Sequence, residues 1–217
     1  MRANGSGEET GGATRRRFRS AVEPIVIVAV AVFFALTIQA FAIKPYRIPS
    51  ASMEPTLNVG DRVLVDRFSH RVLGEQPQVG DVVVFNPPHG ADVQPAVCGA
   101  SGQGGDSLTP CDRPTPTRSS QTFIKRVVGV EGDRIAIRRG HVIRNGRVQS
   151  EPFAASCEPG SGCDFPRAVT VPRGDVYLMG DNRGNSDDSR YWGPVPGSWV
   201  IGEAFASYWP PGRLGGL

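Results

Sequence analysis

The chain has 217 residues, 39% of them hydrophobic and 21% charged. That is too apolar for a disordered chain, and 27 Gly with 19 Pro exclude a helical bundle or a coiled coil. The 24 basic and 21 acidic residues leave a net charge of +3, too small a field to support nucleic-acid binding.

Residues 1–21 carry Arg2, Arg15, Arg16, Arg17 and Arg19 and read as a disordered cytoplasmic tail. Residues 25–43 follow without a charge, and only Thr37 and Gln39 among them are polar. As a helix this run spans about 28 Å, close to the hydrocarbon thickness of a bilayer. A cleaved signal peptide has a shorter apolar core and a small-residue cleavage site, whereas Lys44-Pro45-Tyr46-Arg47 follow here. The expectation is a single retained transmembrane anchor over 22–43. The arginine cluster places its N-terminus inside and residues 44–217 outside.

The outer part reads as short β-strands. The runs are 62–65, 81–85, 122–130, 134–138, 169–171, 176–179 and 200–207, punctuated by recurring Gly-Asp pairs. Asn145-Gly146 between 142–144 and 147–148 predicts a hairpin. The fold class is therefore mostly β, an antiparallel β-sheet domain behind one transmembrane helix. Two Gly/Pro/Ser-rich segments interrupt it: 86–121, expected as a loop insertion on the surface, and 154–166. Cys98, Cys111, Cys157 and Cys163 all follow the anchor, as suits an exported body with two disulfides. Three pairings exist. Cys98–Cys111 with Cys157–Cys163 is preferred because each pair flanks one short loop. Closing a loop of about 14 residues stabilises by roughly 3 kcal/mol in the chain-entropy model. No C-x-x-C and no histidine at ligand spacing supports zinc.

Chemistry concentrates in three segments. The chain holds 22 arginines but only two lysines, Lys44 and Lys125. Arginine cannot deprotonate in a protein and a buried lysine can. Lys44 fits a cation at the membrane edge. Lys125 shares a strand face with Phe123 and Val127, an apolar setting that lowers an amine pKa. Pro49-Ser50-Ala51-Ser52-Met53-Glu54-Pro55 offers hydroxyls between prolines. Residues 180–190, Gly-Asp-Asn-Arg-Gly-Asn-Ser-Asp-Asp-Ser-Arg, form a loop dense in hydrogen-bonding groups. There is no G-x-S-x-G and no H-E-x-x-H, and His70, His89 and His141 have no patterned partner.

Together, residues 49–57, 123–129 with Gly132-Asp133, and 180–190 with Trp192-Gly193 resemble the motif set of the type I signal peptidases. Residues 80–85 resemble a further motif of that family. The order matches, and so does an anchor just before the first motif. The resemblance implies roles. Ser52 corresponds to the nucleophile and Lys125 to a general base acting as a neutral amine. Ser50 corresponds to the hydroxyl that joins the Ser52 N–H in the oxyanion hole, and Ser186 to the serine that orients the lysine. Asp188 with Arg190 and Asp181 with Arg126 match two supporting ion pairs. The mechanism requires no cofactor and no metal.

The implied function is a membrane-bound serine endopeptidase that removes N-terminal signal peptides from exported preproteins after small residues. Its partners are preproteins and the lipid bilayer, with the export translocon nearby and no nucleic acid. Its place is the bacterial cytoplasmic membrane, single-pass, with the catalytic domain outside. Ser52 follows Ile43 by nine residues and so lies within about 30 Å of the anchor's end. An apolar rim facing the membrane is implied as well; Trp192, Trp199 and Trp209 are weak candidates for it, and ordinary core packing is the first reading of each. Two other readings fit the same residues: a processing peptidase with a narrower substrate, and a tethered β module that only binds.

Overall fold

The computed structural model describes residues 23–34, 36–37, 42–93, 97–99, 108–158 and 162–217. The chain divides into two compact units, Met1–Ala42 and Ile43–Leu217. In the first, residues 23–34 and 36–37 are helical. Among the described residues no helix is long and apolar enough to cross a membrane. Of the anchor expected over 22–43, residues 22, 35 and 38–41 lie outside the described residues, as does the tail expected over 1–21. The far end of that expectation needs correcting. Ile43 is not helical but opens a strand, β1 (Ile43–Arg47), which pairs antiparallel with β2 (Arg62–Asp66). Hydropathy alone could not separate Ile43 from the apolar run, because a short β-branched residue suits either state.

The second unit is built on two antiparallel sheets. The larger has the order β1-β2-β11-β3-β4-β9-β10, with β12 beside β11. Its further strands are β3 (Val82–Phe85), β4 (Phe123–Val130), β9 (Asp175–Met179), β10 (Val195–Pro196), β11 (Val200–Trp209) and β12 (Gly215–Gly216). The smaller has the order β7-β6-β5-β8, from β5 (Arg134–Arg138), β6 (His141–Arg144), β7 (Arg147–Val148) and β8 (Phe165–Thr170). Asn145, with φ of 54°, and Gly146, with φ of 79°, turn β6 into β7, as an Asn-Gly pair with positive φ at both positions should. The antiparallel reading of the sheet domain therefore holds, while β1, β10 and β12 carried no signal strong enough to read.

Strand alternation sorts the core. In β9, Val176 and Leu178 enter one apolar cluster with Phe85, Val127 and Trp192. Tyr177 and Met179, on the opposite face, meet Ile135, Ile137, Val142, Phe165 and Val169 of the smaller sheet. A third cluster joins Met53 and Leu57 to Val63, Val65, Val82, Val84 and Ile124. That cluster decides where the site stands, because it plugs the residues around Ser52 into the large sheet.

The segment 86–121 does more than cover the surface. Ala91, Cys98, Cys111 and Thr115 are buried, and Pro88 bridges to Arg118. Disulfides join Cys98 to Cys111 and Cys157 to Cys163, the pairing preferred from loop length. Trp192 is core, and Trp209 is the exposed one of the three tryptophans, stacked near the Arg62 guanidinium.

Candidate active site

Ser52 sits in one turn of 3-10 helix, Ala51–Met53. Apolar side chains hold that turn from below, since Met53 and Leu57 are fully buried. Polar groups hold it from the side: the Thr56 hydroxyl donates to Asp181 at 2.6 Å. From behind, Arg213 donates through Nη2 to the carbonyl of Thr56 at 2.9 Å and through Nε to Asp61 at 2.9 Å. The Ser52 hydroxyl is thus carried on a short, immobilised piece of backbone.

Lys125 comes from the middle of β4, paired with Val83 of β3. Its side chain is buried, and Nζ lies 2.5 Å from Ser52 Oγ, although the two residues are 73 apart in sequence. Burial pushes the amine down from 10.5 to about 8. The carboxylates of Asp188, Asp187 and Asp181 push it up and Arg190 pushes it down, but loss of hydration dominates. The environment expected from one strand face is therefore met, and its carboxylates temper it.

The loop 180–190 supplies those charges. Burial pushes the Asp188 carboxyl up, but the Arg190 guanidinium and the Gly180 N–H together hold it below its ordinary value. The pair is bidentate, with Nε and Nη2 of Arg190 each 2.8 Å from an Asp188 oxygen. Arg190 also donates to the carbonyls of Gly162 and Ser186, at 2.7 and 3.2 Å. Arg126, next to Lys125 on β4 but on the other face, makes a second bidentate pair with Asp181 at 2.9 and 2.7 Å. It stacks on Phe153 and donates to Gly80 as well. The Asp188–Arg190 and Asp181–Arg126 pairs, which the resemblance implies, are both formed and buried.

The two remaining serines behave differently. Ser50 Oγ is 3.4 Å from Ser52 Oγ, at the long limit of a hydrogen bond. Ser186 lines the same cleft as Lys125, but its buried Oγ makes no hydrogen bond. The expected orienting bond to Lys125 is not formed. Gly180 shows how tightly this corner is packed: a Cβ there would collide with Ser186 Oγ and with the Ser52 carbonyl oxygen.

Ser52, Lys125, Ser50 and Ser186 open onto one cavity of about 640 Å³, walled further by Tyr46 and Phe123. Asp92, from the 86–121 segment, lies on its rim and accepts a hydrogen bond from Gln121 at 2.7 Å. Among the described residues no cluster of His, Cys, Asp and Glu could hold a metal ion. A hydroxyl beside a dehydrated amine in an open cleft can perform proton-assisted nucleophilic attack.

Sequence reasoning passed over several supporting groups. Arg183 is fully buried and bonds both Glu151 oxygens, at 2.9 and 2.7 Å, as well as the Gly140 carbonyl. Arg213 and Thr56 were passed over too, as was Asn182, which donates to Ser52 and Ala51. Each of these bonds joins residues far apart in the chain, so no local spacing signals them. The density of polar residues in 180–190 was the single available hint.

The family model described as signal peptidase, peptidase S26, matches residues 21–209. The chain is 37% identical over 195 residues to a probable signal peptidase I-1 of Synechocystis, covering 90% of this chain and 86% of that protein. It is 34% identical over 228 residues to a signal peptidase I of Mycobacterium tuberculosis, covering 88% of this chain and 72% of that one. A crystal structure of a signal peptidase I from Enterococcus faecalis is 25% identical, with a TM-score of 0.40, and covers 59% of this chain and 97% of that one. The chain belongs to the signal peptidase family, peptidase S26, and is an enzyme of that family.

Proposed function

We propose that the protein is a membrane-bound serine endopeptidase that removes N-terminal signal peptides from exported preproteins after small residues. The observation that carries this is the 2.5 Å approach of Lys125 Nζ to Ser52 Oγ, with the lysine buried and its pKa lowered to about 8. The neutral amine takes the Ser52 proton as Oγ attacks the scissile carbonyl carbon. The new ammonium then protonates the leaving amine of the mature protein. A water, deprotonated by the same amine, hydrolyses the ester left on Ser52. The Ser52 N–H and the Ser50 hydroxyl stabilise the oxyanion, for which a lost donor typically costs about 10²–10³ in rate. Ser186 completes the setting of Lys125 once its hydroxyl turns to the amine. Asp188–Arg190 and Asp181–Arg126 hold the surrounding loop.

The apolar run, ending before the strand residue Ile43, supports a single anchor, N-terminus inside, with residues 43–217 outside the bacterial cytoplasmic membrane. A site tethered there meets a signal peptide where its own apolar segment ends. The export translocon is then a neighbour.

The test is cleavage of a model preprotein with an A-x-A-like site by the full chain in proteoliposomes. Wild type should cleave, with the rate rising as pH increases through about 8, because the amine must be neutral. Ser52→Ala and Lys125→Arg should each lose activity by at least about 10³-fold while remaining folded. Near-normal cleavage by Lys125→Arg would overturn the neutral-amine mechanism.

A further inference from the structure

An oxyanion donor is useful only if its N–H is fixed in direction before the substrate arrives. The direction of the Ser52 N–H is set by the Ala51–Ser52 peptide plane, in which the Ala51 carbonyl points the opposite way. The Ala51 carbonyl accepts two hydrogen bonds, from the Glu54 N–H at 3.1 Å and from Asn182 Nδ2 at 3.1 Å. The next carbonyl, that of Ser52, accepts the Asn182 N–H at 3.1 Å. One residue therefore grips the peptide units on both sides of the nucleophile's Cα. Asn182 does not line the cleft, whereas Ala51 and Ser52 do. A plane whose carbonyl is drawn toward Asn182 turns its N–H away from it.

Asn182 is itself well fixed. Its neighbours Asp181 and Arg183 are buried and ion-paired, and its own carbonyl accepts the Asn185 N–H at 2.9 Å. The bare Cα of Gly180 lets this segment come against the Ser52 carbonyl, where a methyl group would collide.

We infer that Asn182 is a positioning residue for the oxyanion hole: it clamps the Ala51 and Ser52 carbonyls and so aims the Ser52 N–H at the developing negative charge. This rests on Ser52 being the nucleophile. Asn182 touches neither the Lys125 amine nor the Ser52 hydroxyl, so its loss should spare proton transfer. Because the Glu54 N–H still holds the Ala51 carbonyl, the cost should be smaller than that of a deleted donor.

The experiment compares wild type, Asn182→Ala, Asn182→Asp and Ser52→Ala in preprotein cleavage. Binding of a peptide aldehyde and of an uncleaved competitor peptide is measured alongside. The aldehyde forms a hemiacetal with the serine hydroxyl, and its oxygen takes the oxyanion position. Asn182→Ala should lower kcat about 10-fold with KM changed less than about 2-fold, and Asn182→Asp, which sets a carboxylate against the Ala51 carbonyl, should lower it further. In Asn182→Ala, aldehyde affinity should fall by a similar factor, competitor affinity should stay, and the pH midpoint of kcat should not move. An unchanged kcat in Asn182→Ala, or a loss accompanied by a moved pH midpoint or weakened competitor binding, would overturn the inference while the nucleophile assignment stands. Cleavage by Ser52→Ala at the wild-type rate would instead remove the nucleophile assignment and this inference with it.

Discussion

The cleft side of the large sheet and the back of the smaller sheet spend burial differently. Around the cleft and in the loop beside it the buried residues include Ser52, Lys125, Asp181, Ser186, Asp188 and Arg190, all polar or charged. Behind β9 the buried residues include Ile135, Ile137, Val142, Phe165 and Val169, which pack on Tyr177 and Met179 and on one another. Burying an amine or an ion pair costs free energy that its partners recover only in good geometry. Burying isoleucine stabilises outright. The difference teaches that the apolar half supplies the stability that the polar half uses to hold a dehydrated amine beside a hydroxyl.

The largest effect should come from breaking a pair on the polar side. Asp188→Ala leaves the Arg190 guanidinium buried without its carboxylate and should destabilise by about 3–5 kcal/mol, read by denaturant unfolding. It also removes the carboxylate that raises the Lys125 pKa most, so the pH midpoint of cleavage should drop below about 8. Lys125→Met sharpens the contrast with the opposite sign. The folded amine titrates near 8 and the unfolded one near 10.5, so the unfolded state binds more protons between those values. Wild-type stability should therefore rise with pH from about 8 to 10.5. Below pH 8 the methionine variant should be the more stable by about 3 kcal/mol, a gap that closes as pH rises. Melting curves at pH 7 and pH 10 check both statements.

The apolar half should respond in stability alone. Ile137→Ala, at a fully buried position, should cost about 3 kcal/mol on unfolding and leave the pH midpoint of cleavage where it was. A shifted midpoint in that variant would break the division of labour. Gly180→Ala should change both. Its methyl group meets Ser186 and the Ser52 carbonyl, which must give way, so cleavage should slow about 10²-fold and unfolding should become easier by about 1–3 kcal/mol. Steady-state kinetics beside calorimetry separates the two effects.

Much of the sheet was legible because its strands alternate or are bounded by Gly-Asp and Asn-Gly turns. β3, β4, β5, β9 and the β6–β7 hairpin fall within a residue or two of where the periodicity puts them. β1 escaped because its first residue reads as the end of the apolar run and Lys44, Pro45 and Arg47 break any alternation, and β12 because two glycines carry no pattern. The segment 86–121 reads as surface by composition. Nothing in its residues foretells that Cys111 donates its N–H to the Arg190 carbonyl at 2.9 Å. Within the site, Ser52 and Lys125 were legible as residue types in recognisable surroundings. The missing bond from Ser186 and the grip of Asn182 were not, because each depends on side-chain direction.

By itself the amino-acid sequence determined the chemistry on offer: one lysine in an apolar strand among many arginines, serines between prolines, and a polar loop, all behind an apolar run. Periodicity and composition act over a few residues and need no knowledge of the rest of the chain. Only the tertiary structure decided that a lysine and a serine 73 residues apart stand 2.5 Å from each other. It alone stripped the amine of water, paired Arg183 with Glu151, and set Asn182 against the Ala51 and Ser52 carbonyls. Those outcomes arise from long-range pairing and burial, which no local window contains.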